Sequence, residues 1–186
     1  RCLDHEPPAG EFEAEWTGRL AVKEPHPDRP ERVRNIRSII EAEIADHVAW
    51  ADVTPATRAQ LERVHDPAYL DKFEQFCESG GGRLTAETGA NEASYAAAEY
   101  AAGAAIRAVE HAIEHAPKDI PYALVRPSGH HAQPAQADGF CFFNNAAVAA
   151  DHALATGLAD SVAIVDWDVH HGNGTQECFY DRDDVL

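Results

Sequence analysis

The chain is 186 residues long, enough for one ordinary domain with a sizeable core and short for two. Its 32 acidic residues face 15 basic ones, and a formal charge of −17 excludes a nucleic-acid backbone as partner. No apolar run approaches the roughly 20 residues of a membrane helix, and the acidic opening RCLDHEPPAGEFEAEW lacks the apolar segment of a secretory leader.

Residues 1 to 24 read as an irregular entry with a short strand around Arg19 to Val22. Pro30 then opens a helix from Glu31 to Ile44, whose Val33, Ile36, Ile40 and Ile44 recur at helical spacing and supply a buried face. His26 and Asp28 just before it read as turn and cap residues. Two helices follow, Arg58 to Val64 and Pro67 to Cys77, broken at Asp66 because the residue before a proline avoids the α region. Gly80, Gly81 and Gly82 end the second one and open a flexible connection to Glu87. An Ala-rich helix is expected over Asn91 to Ala116, where His111 and His115 read as surface residues near its C-terminus. The run PYALV reads as a short buried strand that delivers RPSGHHA into a loop. A helix over Asn145 to Ala155 ends at Gly157. A second buried strand, Val162 to Asp166, leads into DWDVHHGNGT, and a short helix over Gln176 to Tyr180 and a strand beginning at Val185 close the sequence. Strands alternating with helices predict a parallel sheet covered on both faces.

Side chains alternate faces along a strand, so Asp166, Asp168 and His170 share one parity and can converge at a strand's C-terminal end, where open parallel sheets hold their ligands. Carboxylate and imidazole are both zinc ligands, and a catalytic zinc takes three protein ligands and keeps a place for water. Asp168 and His170 make two; Asp166 is either a third or a carboxylate that orients a histidine. Helix capping is the bland alternative for this group. His130 and His131 after the first strand suit proton transfer near neutral pH, and Phe140 and Phe142 are placed to line a narrow apolar channel. The four cysteines show no metal-binding spacing and read as free thiols of a reducing, cytoplasmic setting. The acidic balance fits a halophilic-like surface, or steering of a cationic substrate.

Together RPSGHHA, GFCFFNNAA and DWDVHHGNGTQ resemble the zinc-dependent histone deacetylase family, which also includes acetylpolyamine amidohydrolases and acetoin-utilisation proteins. HPDRPERV and LERVHDPAYL extend the likeness, which covers the N-terminal half of such a domain. The resemblance implies an α/β fold with a three-layer, mainly parallel sheet and helices on both faces, truncated here, as a single partial domain over residues 1–186. It implies removal of acetyl groups from acetyl-lysine in proteins, or from acetylated polyamines. Asp168 and His170 would bind zinc, and His130 and His131 would be the tandem catalytic histidines, backed by Asp166 and Asn173 respectively; an Asn at 173 resembles the class II-like branch. Gly139 and Phe140 would line the acyl-lysine tunnel. Asp166, Asp168 and His170 would also hold a monovalent cation such as potassium, with a second such site at Phe179, Arg182 and Val185.

Several family features have no counterpart in the sequence. The third zinc ligand, an Asp, and the transition-state Tyr would lie beyond Leu186, so these residues by themselves are expected to be nearly inactive. The nearest residues to the acidic tunnel rim are Thr85 and Glu87. An arginase-like ureohydrolase would show D-A-H-x-D where this chain has Asp-Trp-Asp-Val-His-His. A non-catalytic remnant of the fold is the remaining alternative, opposed by the intact histidine pair.

Overall fold

The computed structural model describes residues 1–7, 26–115 and 117–186; the strand expected at Arg19 to Val22 lies outside them. Helix α1 (Glu31–Glu43) forms where the apolar period predicts, yet none of its residues is buried, and Ile39 is 63% exposed. An apolar stripe is covered only when another element lies across it. Among the described residues α1 chiefly meets its own continuation, the 3₁₀ turn Ala45–His47, so the expected buried face is open. Helix α2 (Arg58–Leu61) starts on a capping box, with the Gln60 N–H donating to Thr57 and the Thr57 N–H donating to the Gln60 side chain. Helix α3 (Pro67–Glu78) begins at Asp66 as predicted, the carboxylate accepting from the Ala68 N–H at 2.7 Å.

The connection after α3 is not the flexible one expected. Gly82–Arg83 (β1) and Gly89–Ala90 (β2) pair antiparallel. Thr85 Oγ1 accepts from the Glu87 and Thr88 N–H groups at 3.3 and 3.0 Å and fixes the turn between them. The glycines serve close approach here: a Cβ on Gly81, at φ +72°, would lie 2.2 Å from the Ala90 carbonyl oxygen.

Helix α4 (Ser94–His115) is the central rod, and helix α5 (Asn145–Ala155) packs along it. Both bury rows of alanines, which let two backbones approach closely: Ala97, Ala98, Ala101 and Ala102 on α4, and Ala147, Ala149, Ala150 and Ala153 on α5. Asn144 caps α5 through the Ala147 N–H. An aromatic cluster fills the space between these helices and α3. Phe73 stacks on Phe142 at 4.7 Å and meets Phe143 edge-on, while Tyr95 meets Phe143 at 5.4 Å. The Tyr69 hydroxyl donates to the Phe142 carbonyl at 2.7 Å. Phe142 is therefore core, not a channel wall.

The sheet is far smaller than the α/β pattern predicts. Residues 121–125 form no strand pairing among the described residues, and Tyr122 is 76% exposed. Beyond β1 and β2, the parallel pairing among the described residues is between 162–164 and 184–186, joined by three backbone hydrogen bonds and one bridge, Val162 to Val185. Val162 and Ile164 turn toward Ala147, Ala150 and Phe179, whereas Val165, Trp167 and Val169 face outward. A parallel strand is buried on both faces only where helices cover both; here α5 and helix α6 (Asn173–Phe179) cover one. Helix α6 starts three residues earlier than predicted, which puts Asn173 in its first turn.

Burial also sets the charge state of His65, which is 1% exposed. Burial pushes its imidazole down to about 4 from an ordinary 6.5. The unfolded chain takes up this proton first, so the contribution to stability is complete above pH 6.5 and is lost as pH falls through about 4. The full loss is about 3 kcal/mol. Denaturant unfolding of the wild type and a His65→Gln variant at pH 7 and pH 5 checks this. The stability gap between them should narrow at the lower pH, and an unchanged gap would rule the account out.

Candidate functional site

The loop 126–132, the turn 138–141 and the segment 166–173 meet at one end of α5 and α6. Arg126 opens the first of these and anchors it. It is 2% exposed, donates from Nε to Asp28 Oδ1 at 3.2 Å and from one terminal nitrogen to the carbonyls of Cys2 and His5 at 2.8 Å, and reaches the Asp28 carbonyl with the other. Burial pushes the Asp28 carboxyl up, but His5 and the Arg126 guanidinium outweigh it and hold it below its ordinary value. The reading of Asp28 as a turn residue thus gives way to a buried ion pair spanning 98 positions.

His130 and His131 follow, their ring centroids 4.0 Å apart. His130 Nδ1 lies 2.8 Å from Asp166 Oδ2, and His131 Nδ1 lies 2.6 Å from Asn173 Oδ1. Both oxygens accept, so each Nδ1 carries the hydrogen and each Nε2 of a neutral ring keeps its lone pair. The partners differ in kind. Asp166 can offset positive charge on His130, whereas the amide of Asn173 orients His131 without adding charge. The side chain missing at Gly172 leaves room for the first of these contacts, since a Cβ there would lie 2.5 Å from Asp166 Oδ2.

Gly139 and Phe140 form a two-residue turn closed by the Asp138 and Cys141 backbones, with φ of +48° and +68°. A Cβ on Gly139 would lie 2.2 Å from His131 Cδ2, so only glycine lets the turn rest against that ring. Phe140 is held in its left-handed conformation by the hydroxyl of buried Thr88, which accepts its N–H at 3.0 Å, and His26 packs edge-on against its ring at 4.7 Å. Thr88, not Thr85 or Glu87, is what this hairpin contributes to the turn. Both Thr88 and Arg126 escaped the sequence reading; the one hint was an arginine placed directly between an apolar run and a proline.

Asp166, Asp168 and His170 do not converge as three equals. Asp166 turns to His130, while Asp168 Oδ1 accepts from the His170 N–H at 2.8 Å and lies 2.9 Å from His170 Nδ1. Those hydrogen bonds hold the Asp168 carboxyl below its ordinary value. An oxygen and an imidazole nitrogen this close can meet one ion, which would replace the shared hydrogen, and the donor pair fits two of the three protein ligands of a catalytic zinc. Among the described residues no cluster of three His, Cys, Asp or Glu is gathered for a metal. His170 stands beside His131 with ring centroids 5.9 Å apart. An open cleft of about 550 Å³ runs along Asp166, Asp168, His170 and Gly172. At the second expected cation position the Phe179 carbonyl accepts from the Arg182 N–H at 3.0 Å, and the Arg182 side chain pairs with Asp151 and Asp184.

Residues 26–186 match the family model described as the histone deacetylase domain. The chain is 44% identical to "Histone deacetylase 8" of Arabidopsis thaliana over 99% of its own length and 49% of that protein's. It is 42% identical to "Histone deacetylase-like amidohydrolase" of Pseudomonas aeruginosa over 87% of the chain and 42% of that protein. The crystal structure of the HDA15 HD domain superposes with a TM-score of 0.85 at 38% identity, covering 100% of this chain and 49% of that one. The chain thus shares that domain's α/β fold and spans about half the length of the relatives it matches. No helix among the described residues is long and apolar enough to cross a membrane, and all four cysteines are free.

Proposed function

This chain belongs to the histone deacetylase domain family, and we propose that it forms the N-terminal half of one zinc-dependent catalytic domain that hydrolyses the acetamide of acetyl-lysine in proteins. The observation that carries this reading is the pair of adjacent imidazoles, each oriented at Nδ1 by a different oxygen, beside the Asp168 and His170 donor pair. In that domain the helices would flank a three-layer, mainly parallel sheet.

Asp168 and His170 would hold the zinc in this account. When bound, zinc supplies Lewis acidity that polarises the acetyl carbonyl and eases deprotonation of water. Nε2 of His131 accepts the proton as the water oxygen bonds to the carbonyl carbon, and returns it to the amine nitrogen as the C–N bond breaks. His130, backed by the Asp166 carboxylate, steadies the negative charge that gathers on the carbonyl oxygen. Gly139 and Phe140 line the path of the acylated side chain.

The net charge of −17 favours a second reading, an acetylated polyamine as substrate, because a cationic chain would be drawn to such a surface. Incubating the full-length protein with an acetyl-lysine peptide and with acetylspermidine, with and without a zinc chelator, separates the two. Acetate release from the peptide that stops on chelation and returns with zinc is expected. Release from acetylspermidine alone would move the substrate to polyamines, and release indifferent to chelation would sink the zinc assignment.

A further inference from the structure

His65 lies in none of the roles described so far, yet both its ring nitrogens are engaged. Nδ1 stands 3.1 Å from the Gln133 carbonyl oxygen, and Nε2 accepts from the Asn144 backbone N–H at 2.9 Å. A carbonyl can only accept and a backbone N–H can only donate, so the ring is neutral with its hydrogen on Nδ1. The rings of Tyr69 and Phe143 pack against it at 5.8 and 5.5 Å.

The two partners of His65 adjoin the candidate site. Gln133 follows His131 by two residues. Asn144 donates from its side chain to the Ala132 carbonyl at 3.3 Å and to Thr175 Oγ1 at 3.0 Å. The Asp66 N–H donates to the Pro134 carbonyl at 2.8 Å, and the Gly174 and Thr175 N–H groups donate to the His130 carbonyl at 3.0 and 3.2 Å. Carbonyls 130, 132, 133 and 134 are thus each held, the first two from the side of α5 and α6 and the last two from the junction of α2 and α3. His65 reaches across both sides, through Gln133 and Asn144.

We infer that His65 is a positioning residue, which fixes the loop carrying His131 against Asn144 and so sets His131 opposite Asn173 in α6. This rests on the reading of His131 given above. The low proton affinity that burial gives the ring keeps the bridge intact at mildly acidic pH. Asparagine can replace the donor at Nδ1 but not the acceptor at Nε2, glutamine can replace the acceptor, and leucine replaces neither.

Steady-state kinetics of the full-length protein on an acetyl-lysine peptide test the inference. His65→Leu should lower kcat by about 10- to 100-fold with KM nearly unchanged, since a catalytic group displaced by about 1 Å costs rate and not ground-state binding. His65→Asn, which keeps the donor to Gln133, and His65→Gln, which keeps the acceptor for Asn144, each hold one end of the bridge and should fall between leucine and the wild type in kcat. Should the leucine variant not fold, these two should still lie below the wild type in kcat at nearly unchanged KM. A raised KM at unchanged kcat, or either one-ended variant as fast as the wild type, would overturn the positioning role. A long-range ¹H–¹⁵N spectrum of the wild type gives an activity-free answer: the His65 hydrogen should sit on Nδ1 from pH 7 down to pH 5. A hydrogen on Nε2 overturns the bridge whatever the kinetics, whereas an intact bridge in a wild type that releases no acetate overturns the functional reading instead.

Discussion

A His131→Ala enzyme is expected to lose about 10²- to 10⁴-fold in kcat, the range for removing a general base, while still binding zinc as the wild type does. Both halves of this expectation follow from how the site is divided. His131 is tied to Asn173 and the Gly139 turn and has no hydrogen bond to Asp168 or His170. Under the proposed function its loss would remove a proton acceptor without disturbing the donor pair. Asp168→Ala should behave in the opposite way, losing zinc and activity together. Acetate release and zinc content measured on both variants make the comparison. Loss of zinc from the His131→Ala enzyme would show that the two functions are not separable as drawn.

Arg126→Leu is expected to lower the unfolding free energy by about 3–5 kcal/mol, the range for breaking a buried ion pair by removing one partner. Leucine fills part of the space but leaves the Asp28 carboxylate 2% exposed with its guanidinium gone, and it strips the Cys2 and His5 carbonyls of their donor. His5 Nε2, 3.6 Å from Asp28 Oδ2, and Arg32 Nη1, 3.8 Å from Asp28 Oδ1, still favour the carboxylate but stand beyond hydrogen-bond distance and offset only part of the loss. Adding Asp28→Asn should return part of the loss, because the orphaned charge is then absent. Denaturant unfolding of the two single variants and the double variant measures this coupling. Additive losses would mean that Arg126 and Asp28 act independently.

Elements marked by local chemistry were legible in the sequence. Asp66 before Pro67 and Gly157 after the alanine run set the start of α3 and the end of α5 closely, since a cap is decided by its own few residues. Elements decided at long range were not. Gly80 to Gly82 read as a flexible run because the partner that Gly81 and Gly82 meet is Ala90, on the far side of the hairpin. Residues 121–125 and 162–166 have strand composition, but burial of a strand depends on its neighbours, which composition does not reveal. In the candidate site, parity brought Asp166, Asp168 and His170 together and could not divide them. The division followed from the family motifs, and the geometry pairs Asp166 with His130 and Asp168 with His170. Arg126 with Asp28 and His65 with Asn144 are separated by 98 and 79 positions, beyond the reach of any local pattern.

Trp167 and Val169, 89% and 92% exposed beside Val165, bear on how the protein must be handled. An extended apolar edge is a template for pairing with another chain and so an aggregation hazard. At low ionic strength the charge of −17 keeps molecules apart. Screening shortens the reach of that repulsion from about 30 Å at 0.01 M salt to about 3 Å at 1 M. Salt therefore weakens the repulsion that keeps this stretch of one molecule away from that of another.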